Sequence, residues 1–281
     1  MIIVKLMGGL GNQLFQYALG RQLALKNKTE LFFDVSWLGS YKKPRPYYLP
    51  HLVTTEPSAT NKQIAKLKII NLFNFFRPYY KKSVIREGGH CFDPAIINAP
   101  QNVYLDGYWQ TEKYFKDIED TIRQDLTLKD PPGEKYLSTL DTITQTNAIS
   151  LHIRRTDYLI GKNTSVFAIC QPEYYQQALK IVAEKVGPLK LFVFSDDIKW
   201  AKENILFPYS ITFVSDGSFS DCQELMLMSA CKHNITANST FSWWGAWLNN
   251  NPQKIIITPQ KWFVDPTIDE KDLIPSTWIK L

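Results

Sequence analysis

The chain opens MIIVKLMGGLGNQLFQYALG (residues 1–20), and the reading of this stretch decides the fold. Ile2 to Leu6 make an apolar run of strand length. It meets a glycine turn, Gly8-Gly9-Leu10-Gly11, and Asn12 and Gln13 then lead into a helical pattern. Leu14, Phe15, Ala18, Leu19, Leu23 and Leu25 share one broad face of that helix. A second strand, Leu31-Phe32-Phe33-Asp34-Val35, follows at the distance of a βαβ unit. The turn lacks the third glycine of a dinucleotide fingerprint, because Gly9-Leu10-Gly11 is followed by Asn12, Gln13 and Leu14. The Gly-Lys-Ser/Thr of a P-loop is absent too. Two readings stay open. The stretch is a tight strand-to-helix turn and no more, or Asn12 and Gln13 offer amides to a phosphate or a sugar hydroxyl beside outward-pointing N–H groups.

The alternation continues outward from there. Residues 41–100 look irregular, rich in Pro, Tyr and Lys, with one short helical pattern near 63–72. NVYLDGYW (102–109) reads as a strand and the polar stretch after it as helical. Asp130-Pro131-Pro132-Gly133 is a candidate linker. Beyond it, AISLHI (148–153), LKLFVF (189–194), HNITAN (233–238) and KIIIT (254–258) read as strands. Helices are expected from Pro172 to about Val186, over 221–232 and over STFSWWGAWL (239–248). Strands alternating with helices predict parallel sheets covered on both faces. The expected fold is α/β, with two Rossmann-like domains, 1–140 and 141–281, facing a central cleft.

Length and composition suit a folded protein with a sizeable core: 281 residues, 44% of them hydrophobic. The net charge of +5 is mild, and basic pairs such as Lys42-Lys43 and Lys81-Lys82 read as solvated surface, so no nucleic acid is expected. Cys91, Cys170, Cys222 and Cys231 form no CxxC pair and are expected to be reduced thiols. No signal peptide and no apolar run of spanning length is visible. The expected place of action is the cytoplasm, and the sequons at Asn27, Asn163, Asn234 and Asn238 are expected to stay unmodified. The mild positive charge allows a peripheral contact with anionic lipid of the inner membrane, where a sugar acceptor can sit.

Three further motifs sit at strand ends, where open α/β sheets bind ligands. In LHIRRTDY (151–158), alternation turns Ile149, Leu151 and Ile153 one way and Ser150, His152 and Arg154 the other. Arg154 can neutralise a pyrophosphate with its fork, or pair with a nearby aspartate. In FVFSDD (192–197), one aspartate is expected to meet a base or ribose and the other to cap the next helix. In NITANSTFSWWGAWL (234–248), Asn238, Ser239 and Thr240 suit an N-cap and anion site, while Trp243, Trp244 and Trp247 read as core. No Asp-x-Asp occurs, and Asp117-x-Glu119 and Glu270-x-Asp272 lie in polar stretches. No metal site is expected, and positive groups must then stabilise a leaving diphosphate.

GGLGNQLFQYALG, HIRRTDY, FSDD and LMSACKHNITANSTFSWWGAWLN together resemble the bacterial α-1,2-fucosyltransferases of glycosyltransferase family 11, in order from Ile2 to about Trp262. The resemblance implies a GT-B-like, metal-independent, inverting enzyme. It would move L-fucose from GDP-β-L-fucose to the 2-hydroxyl of a β-galactoside in a glycan acceptor, with no cofactor. The second domain would then bind GDP-fucose and the first the acceptor. His152 and Arg154 match the family's contacts to guanine and β-phosphate, and Asp196 the aspartate at guanine or ribose. Ser239 and Thr240 match hydroxyls near the diphosphate, with Asn238 beside them a further candidate donor contact; Gly9, Gly11, Asn12 and Gln13 match the N-terminal loop. Thr156 departs from the family, where glycine is common. Asp157 is the candidate general base, with orienting Arg155 as its alternative role. Trp37, Tyr47 and Tyr48 are candidate acceptor contacts, being aromatic and in the loop-rich region. The rivals are fucosyl transfer to another hydroxyl, a nucleotide-dependent oxidoreductase and a sugar-binding module built on the tryptophans. Acceptor identity and oligomeric state are not legible.

Overall fold

The computed structural model describes residues 1–40, 44–54, 56–69, 76–160, 164–205 and 207–281. The Lys42-Lys43 pair, the end of the helical pattern expected to reach residue 72, and Asn163 lie outside them. The chain divides into two compact units, Met1–Lys129 with Asp269–Pro275, and Asp130–Ile268 with Ser276–Leu281. The division falls at the Pro-Pro-Gly stretch and not at residue 140, because the helix at Glu134–Thr144 packs on the helix at Asp221–Ala230.

The first unit holds β1 (Ile2–Lys5), β2 (Leu31–Asp34), β3 (Val84–Arg86) and β4 (Val103–Asp106) in the order β2-β1-β4-β3, all parallel. Ile2 lies opposite both Leu31 and Val103, so β1 is central, and Ile2, Ile3 and Val4 are fully buried. Helix α1 (Leu10–Asn27) packs on β1 and buries Leu14, Phe15, Ala18, Leu19 and Leu23. A Cβ at Gly20 would come within 2.6 Å of Val4 and 2.8 Å of Leu31, so the missing side chain sets how closely the helix lies on the sheet. Leu25, expected on the same face, is 40% exposed. A helix of 18 residues spans about 27 Å and a strand of four only about 13 Å, so its last turn overhangs the sheet.

The region read as irregular contains more order than its composition suggests. Helices α2 (Ser36–Ser40) and α3 (Asn61–Lys68) lie within or beside it. In α3 the Thr60 and Gln63 side chains cap each other's backbone, the reciprocal arrangement that starts a short helix well. β3 has only three residues, too few for a visible alternation. The polar stretch after β4 begins as two 3-10 turns and becomes helical as α4 (Glu119–Asp125).

The second unit holds β5 (Ala148–Ile153), β6 (Lys190–Ser195), β7 (Ser210–Phe213), β8 (His233–Ile235), β9 (Ile256–Thr258) and β10 (Ile279–Lys280), in the order β10-β9-β8-β5-β6-β7 and all parallel. Its helices are α5 (Glu134–Thr144), α6 (Pro172–Val186), α7 (Ile198–Asn204), α8 (Asp221–Ala230) and α9 (Thr240–Leu248). Every residue of β5 is buried, Ser150 and His152 included, because both faces of this central strand are covered. Ile149, Leu151 and Ile153 pack with Tyr175, Ala178, Leu179 and Val182 of α6. Trp243, Trp244 and Trp247 are core, and Trp243 also packs on Trp278 with ring centres 5.5 Å apart. Buried rings of this kind offer no stacking surface to a sugar.

Chain order places a switch point in each sheet. The second unit starts at β5, moves out through β6 and β7, then returns to β8 on the other side of β5. The first starts at β1, moves to β2, then crosses to β3 at the far edge and returns as β4 beside β1. The crevices outside the carboxyl ends of β5 and β8, and of β1 and β4, are where such sheets hold ligands.

Candidate functional site

β5 delivers Arg154, Arg155 and Thr156 to its carboxyl end, and Asp196, one residue past β6, gathers them. One Asp196 oxygen accepts the Arg155 N–H at 2.9 Å. The other accepts the Thr156 N–H at 3.1 Å and the Thr156 hydroxyl, and stands 3.4 Å from Arg154 Nε. The carboxylate expected to meet a nucleotide base is thus occupied by the neighbouring loop. Asp197 accepts the Trp200 N–H at 3.1 Å and starts α7, the capping role expected for one of the pair.

Arg154 is held from two sides. Its Nη2 donates to Asp157 at 2.6 Å, opposite the 3.4 Å approach of Asp196. Burial opposes the guanidinium charge, and the two carboxylates more than offset it, so its pKa is raised. Nη1 is left without a protein partner among the described residues. Asp157 therefore aims Arg154. The Arg155 guanidinium lies over the Trp200 ring, 3.9 Å from its centre.

His152 is buried beside Phe241, with ring centres 5.5 Å apart. Burial, with Arg154 next to it, holds its pKa down at about 3, so the ring is neutral at physiological pH. Its Nδ1 is buried and has no partner among the described residues. A neutral, unpaired ring nitrogen is suited to hydrogen bonding with a ligand and poorly suited to proton abstraction.

The α9 end of the crevice is tied to the β5 end. The Tyr158 hydroxyl donates to the Asn238 carbonyl at 2.8 Å. Asn238 is fully buried, and its amide donates to the carbonyls of Ala168 and Trp262, so it fastens two loops and has no freedom to meet a ligand. Ser239 caps α9 through the Phe241 N–H, and the half-buried Thr240 opens the first turn. Arg154, an uncharged imidazole and a helix N-terminus thus converge on one crevice, a set that suits an anion joined to a hydrogen-bonding ring. Among the described residues no three His, Cys, Asp or Glu side chains come together as a metal site.

Behind this crevice lies a pair that the sequence reading missed. The Ser195 N–H donates to the Ser215 hydroxyl at 3.0 Å, and that hydroxyl donates to Glu224 at 2.6 Å. Burial, opposed by the Ser215 bond, raises the Glu224 pKa to about 7. No local pattern flags this carboxylate, which looks like one more polar position on α8.

In the first unit the opening turn is set by Gly8, at φ +78°, where a Cβ would run into Asn12. Gly9 is the residue before α1, with open space where a Cβ would go, and Gly11 lies inside the helix. Asn12 accepts from Gln110 at 2.9 Å, which spans the crevice between β1 and β4. Gln13 is fully buried and fully used: it donates to the carbonyls of Gly8 and Pro46 and accepts the Tyr48 N–H. Its amide is scaffold, not a ligand contact. Trp37 stands on α2 just past β2, and Tyr47 and Tyr48 lie in the loop that Gln13 holds, so all three are at the same edge of this sheet. The DGYWQ stretch (106–110) supplies an unforeseen clamp: Glu87 accepts the N–H groups of Tyr108 and Trp109 at 2.6 and 2.8 Å. Trp109 is held at φ +59°, a left-handed conformation uncommon for a bulky residue.

The chain matches the family model for glycosyl transferase family 11 across residues 1–281. It is 32% identical over 290 residues to an α-1,2-colitosyltransferase of Escherichia coli, covering 100% of this chain and 98% of the relative. It is 31% identical over 303 residues to the Escherichia coli O-antigen biosynthesis glycosyltransferase WbnK, at 98% and 99% coverage. Human galactoside α-(1,2)-fucosyltransferase 1 aligns over 154 residues at 26% identity, which is 51% of this chain and 42% of the human protein. Among solved structures, a mutant of Arabidopsis thaliana FUT1 in complex with GDP superposes with a TM-score of 0.54 at 13% identity, over 91% of this chain and 69% of that one. NodZ α-1,6-fucosyltransferase soaked with GDP-fucose gives 0.50 at 15% identity, over 91% and 94%. These two likenesses are ones of fold, the GT-B class built from two α/β domains, each with a parallel sheet. The match over its whole length shows that the chain belongs to glycosyl transferase family 11.

Proposed function

We propose that this protein is an inverting galactoside α-1,2-fucosyltransferase that uses GDP-β-L-fucose and no metal ion. The observation that carries the donor half is Arg154, aimed by Asp157 and Asp196 at the carboxyl end of β5 with Nη1 open, beside the N-terminus of α9. That pair of positive groups suits a diphosphate leaving from the sugar. His152 Nδ1, buried and unpaired, is the group best placed to meet a hydrogen-bonding base such as guanine. The α-1,2 linkage is supported by two relatives whose names share it, the colitosyltransferase and the human galactoside enzyme.

In the reaction the 2-hydroxyl oxygen attacks fucose C1 from the face opposite GDP. The C1–O bond to the diphosphate breaks, and its electron pair leaves with the GDP, whose new charge Arg154 and the start of α9 take up. The hydroxyl proton goes to Asp157 or to the departing diphosphate. The 2.6 Å bond from Arg154 favours the diphosphate, because it commits Asp157 to orientation. The first unit would bind the acceptor, with Trp37, Tyr47 and Tyr48 beside the Gly8 turn.

A second reading concerns the donor only. The full-length likeness to a colitosyltransferase favours testing GDP-colitose, whose sugar is L-fucose without its 3-hydroxyl. The experiment offers GDP-fucose and GDP-colitose in parallel with a panel of β-galactosides, in excess EDTA, and resolves product linkage and anomeric configuration by NMR. An α-1,2-fucosyl product is the expected result. Turnover only with GDP-colitose would transfer the reading to that donor, and a product linked elsewhere would refute the acceptor position.

A further inference from the structure

The stretch of sequence from Asn61 to Lys82 lies outside the motifs assigned to the two crevices. It carries Lys62, Lys66, Lys68, Arg77, Lys81 and Lys82 and contains no Asp or Glu. These six positive charges exceed the chain's net +5, so all the other residues together carry −1. The basic character of the protein is concentrated in this one stretch of the first unit.

The fold turns those charges outward. α3 buries Leu67 and half-buries Ile64 against Ile3 and Tyr104, which leaves Lys62, Lys66 and Ile69 on its exposed side, while the Lys68 ammonium lies back over the Tyr104 ring, 4.0 Å from its centre. The Ser83 hydroxyl donates to the Leu67 carbonyl at 2.9 Å and so brings the chain just past Lys82 back beside the end of α3. Arg77, Tyr79 and Lys81 are exposed on that returning stretch. Large apolar side chains stand among the cations: Ile69 is 64% exposed, Phe76 81% and Tyr79 51%. The buried Asp34 stands 3.8 Å from Lys68, and at the rim Asp93 accepts the Tyr79 hydroxyl at 2.5 Å.

Cations interleaved with exposed aliphatic and aromatic side chains match one partner better than others. At an anionic bilayer surface the ammonium and guanidinium groups meet lipid phosphates, while apolar side chains enter the headgroup layer. A nucleic acid would satisfy the charges and leave Ile69 in water. We propose that this face of the first unit docks on an anionic membrane surface, with Lys62, Lys66 and Arg77 against lipid phosphates and Ile69 and Phe76 in the headgroup layer, while Lys68 and Lys81, held by Tyr104 and by the Asn98 carbonyl, add to the local positive field. Among the described residues no helix is long and apolar enough to cross a membrane, so the contact would be peripheral and reversible.

The test sediments the full chain with vesicles of phosphatidylcholine, with and without phosphatidylglycerol. Binding is expected only with phosphatidylglycerol and is expected to weaken as salt rises. Replacing Lys62→Gln together with Lys66→Gln is expected to weaken binding about 25-fold, at roughly fivefold per charge. Phe76→Ser is expected to weaken it at constant charge. The control pair Lys185→Gln and Lys199→Gln removes the same charge from the second unit and is expected to leave binding unchanged. Each variant is first shown to melt as the parent does. Equal binding to neutral vesicles, an equal loss in the control pair, no effect of Phe76→Ser, or tighter binding to single-stranded RNA than to the vesicles would each overturn the proposal.

Discussion

Replacing Asp196 with asparagine keeps the shape of the side chain and removes its ability to accept on both sides. In the folded protein the two carboxylate oxygens take the Arg155 N–H, the Thr156 N–H and the Thr156 hydroxyl, with Arg154 Nε 3.4 Å away. The asparagine oxygen can serve one side of this set. Its amide nitrogen then faces donors on the other, and a stranded partly buried donor costs about 1–3 kcal/mol. One or two such donors give ~2–4 kcal/mol. The cost falls on the loop that aims Arg154, so kcat/KM is expected to fall about 30- to 1000-fold. The preference for GDP over ADP should stay as it was, since in this structure Asp196 serves the loop and not a base. Steady-state kinetics with GDP-fucose and calorimetry with both nucleotides measure the two quantities separately. A collapse of the GDP preference would show that Asp196 reads guanine after all. Near-normal turnover would show that the loop needs no such anchor.

Arg154→Lys should lower kcat/KM roughly 100-fold or more in a folded protein, because a single ammonium cannot engage Asp157 and Asp196 and still present a second donor to the diphosphate; unchanged turnover would remove Arg154 from its role. Glu224 has a folded pKa of about 7, above the unfolded value, so its protonated form stabilises the fold fully below about pH 4.5 and that contribution disappears as pH rises through 7. Glu224→Gln should therefore raise the melting temperature at pH 8 by a few degrees, from ~1–3 kcal/mol, and flatten its pH dependence; a lower melting temperature at pH 8 would contradict the assigned cause. Activity is expected to survive excess EDTA in full, and a loss restored by Mg²⁺ or Mn²⁺ would refute the neutralisation of the diphosphate by Arg154 and α9.

Much of the fold was legible because buried parallel strands announce themselves as unbroken apolar runs. AISLHI and LKLFVF did so, and the four-residue run at β1 was followed by a turn that only glycine could make. β3, β7 and β10 were not legible, since two to four residues at or near a sheet edge carry no period. Within the site, sequence brought Arg154, His152 and the start of α9 to one edge. It could not say what the carboxylates and amides there were facing. Asp196 meets Thr156 across 40 positions of chain, and Asn12 meets Gln110 across 98. Residues of those types bind ligands and brace loops with the same atoms, and only the tertiary partner separates the two uses. Asp196, Gln13 and Asn238 turned out to brace.

Gln13 makes all three of its bonds to backbone atoms, at Gly8, Pro46 and Tyr48. The path of the 46–48 loop is therefore held without reference to what its side chains are. Such a loop can be rewritten by point mutation while its course stays put. On the proposed assignment of acceptor to the first unit and donor to the second, a lineage, or an engineer, could exchange Tyr47 or Tyr48 to admit a different glycan and leave the donor side untouched. Change at Gln13 itself would release the loop, so this glutamine should tolerate almost nothing in the same scan where its neighbours tolerate much.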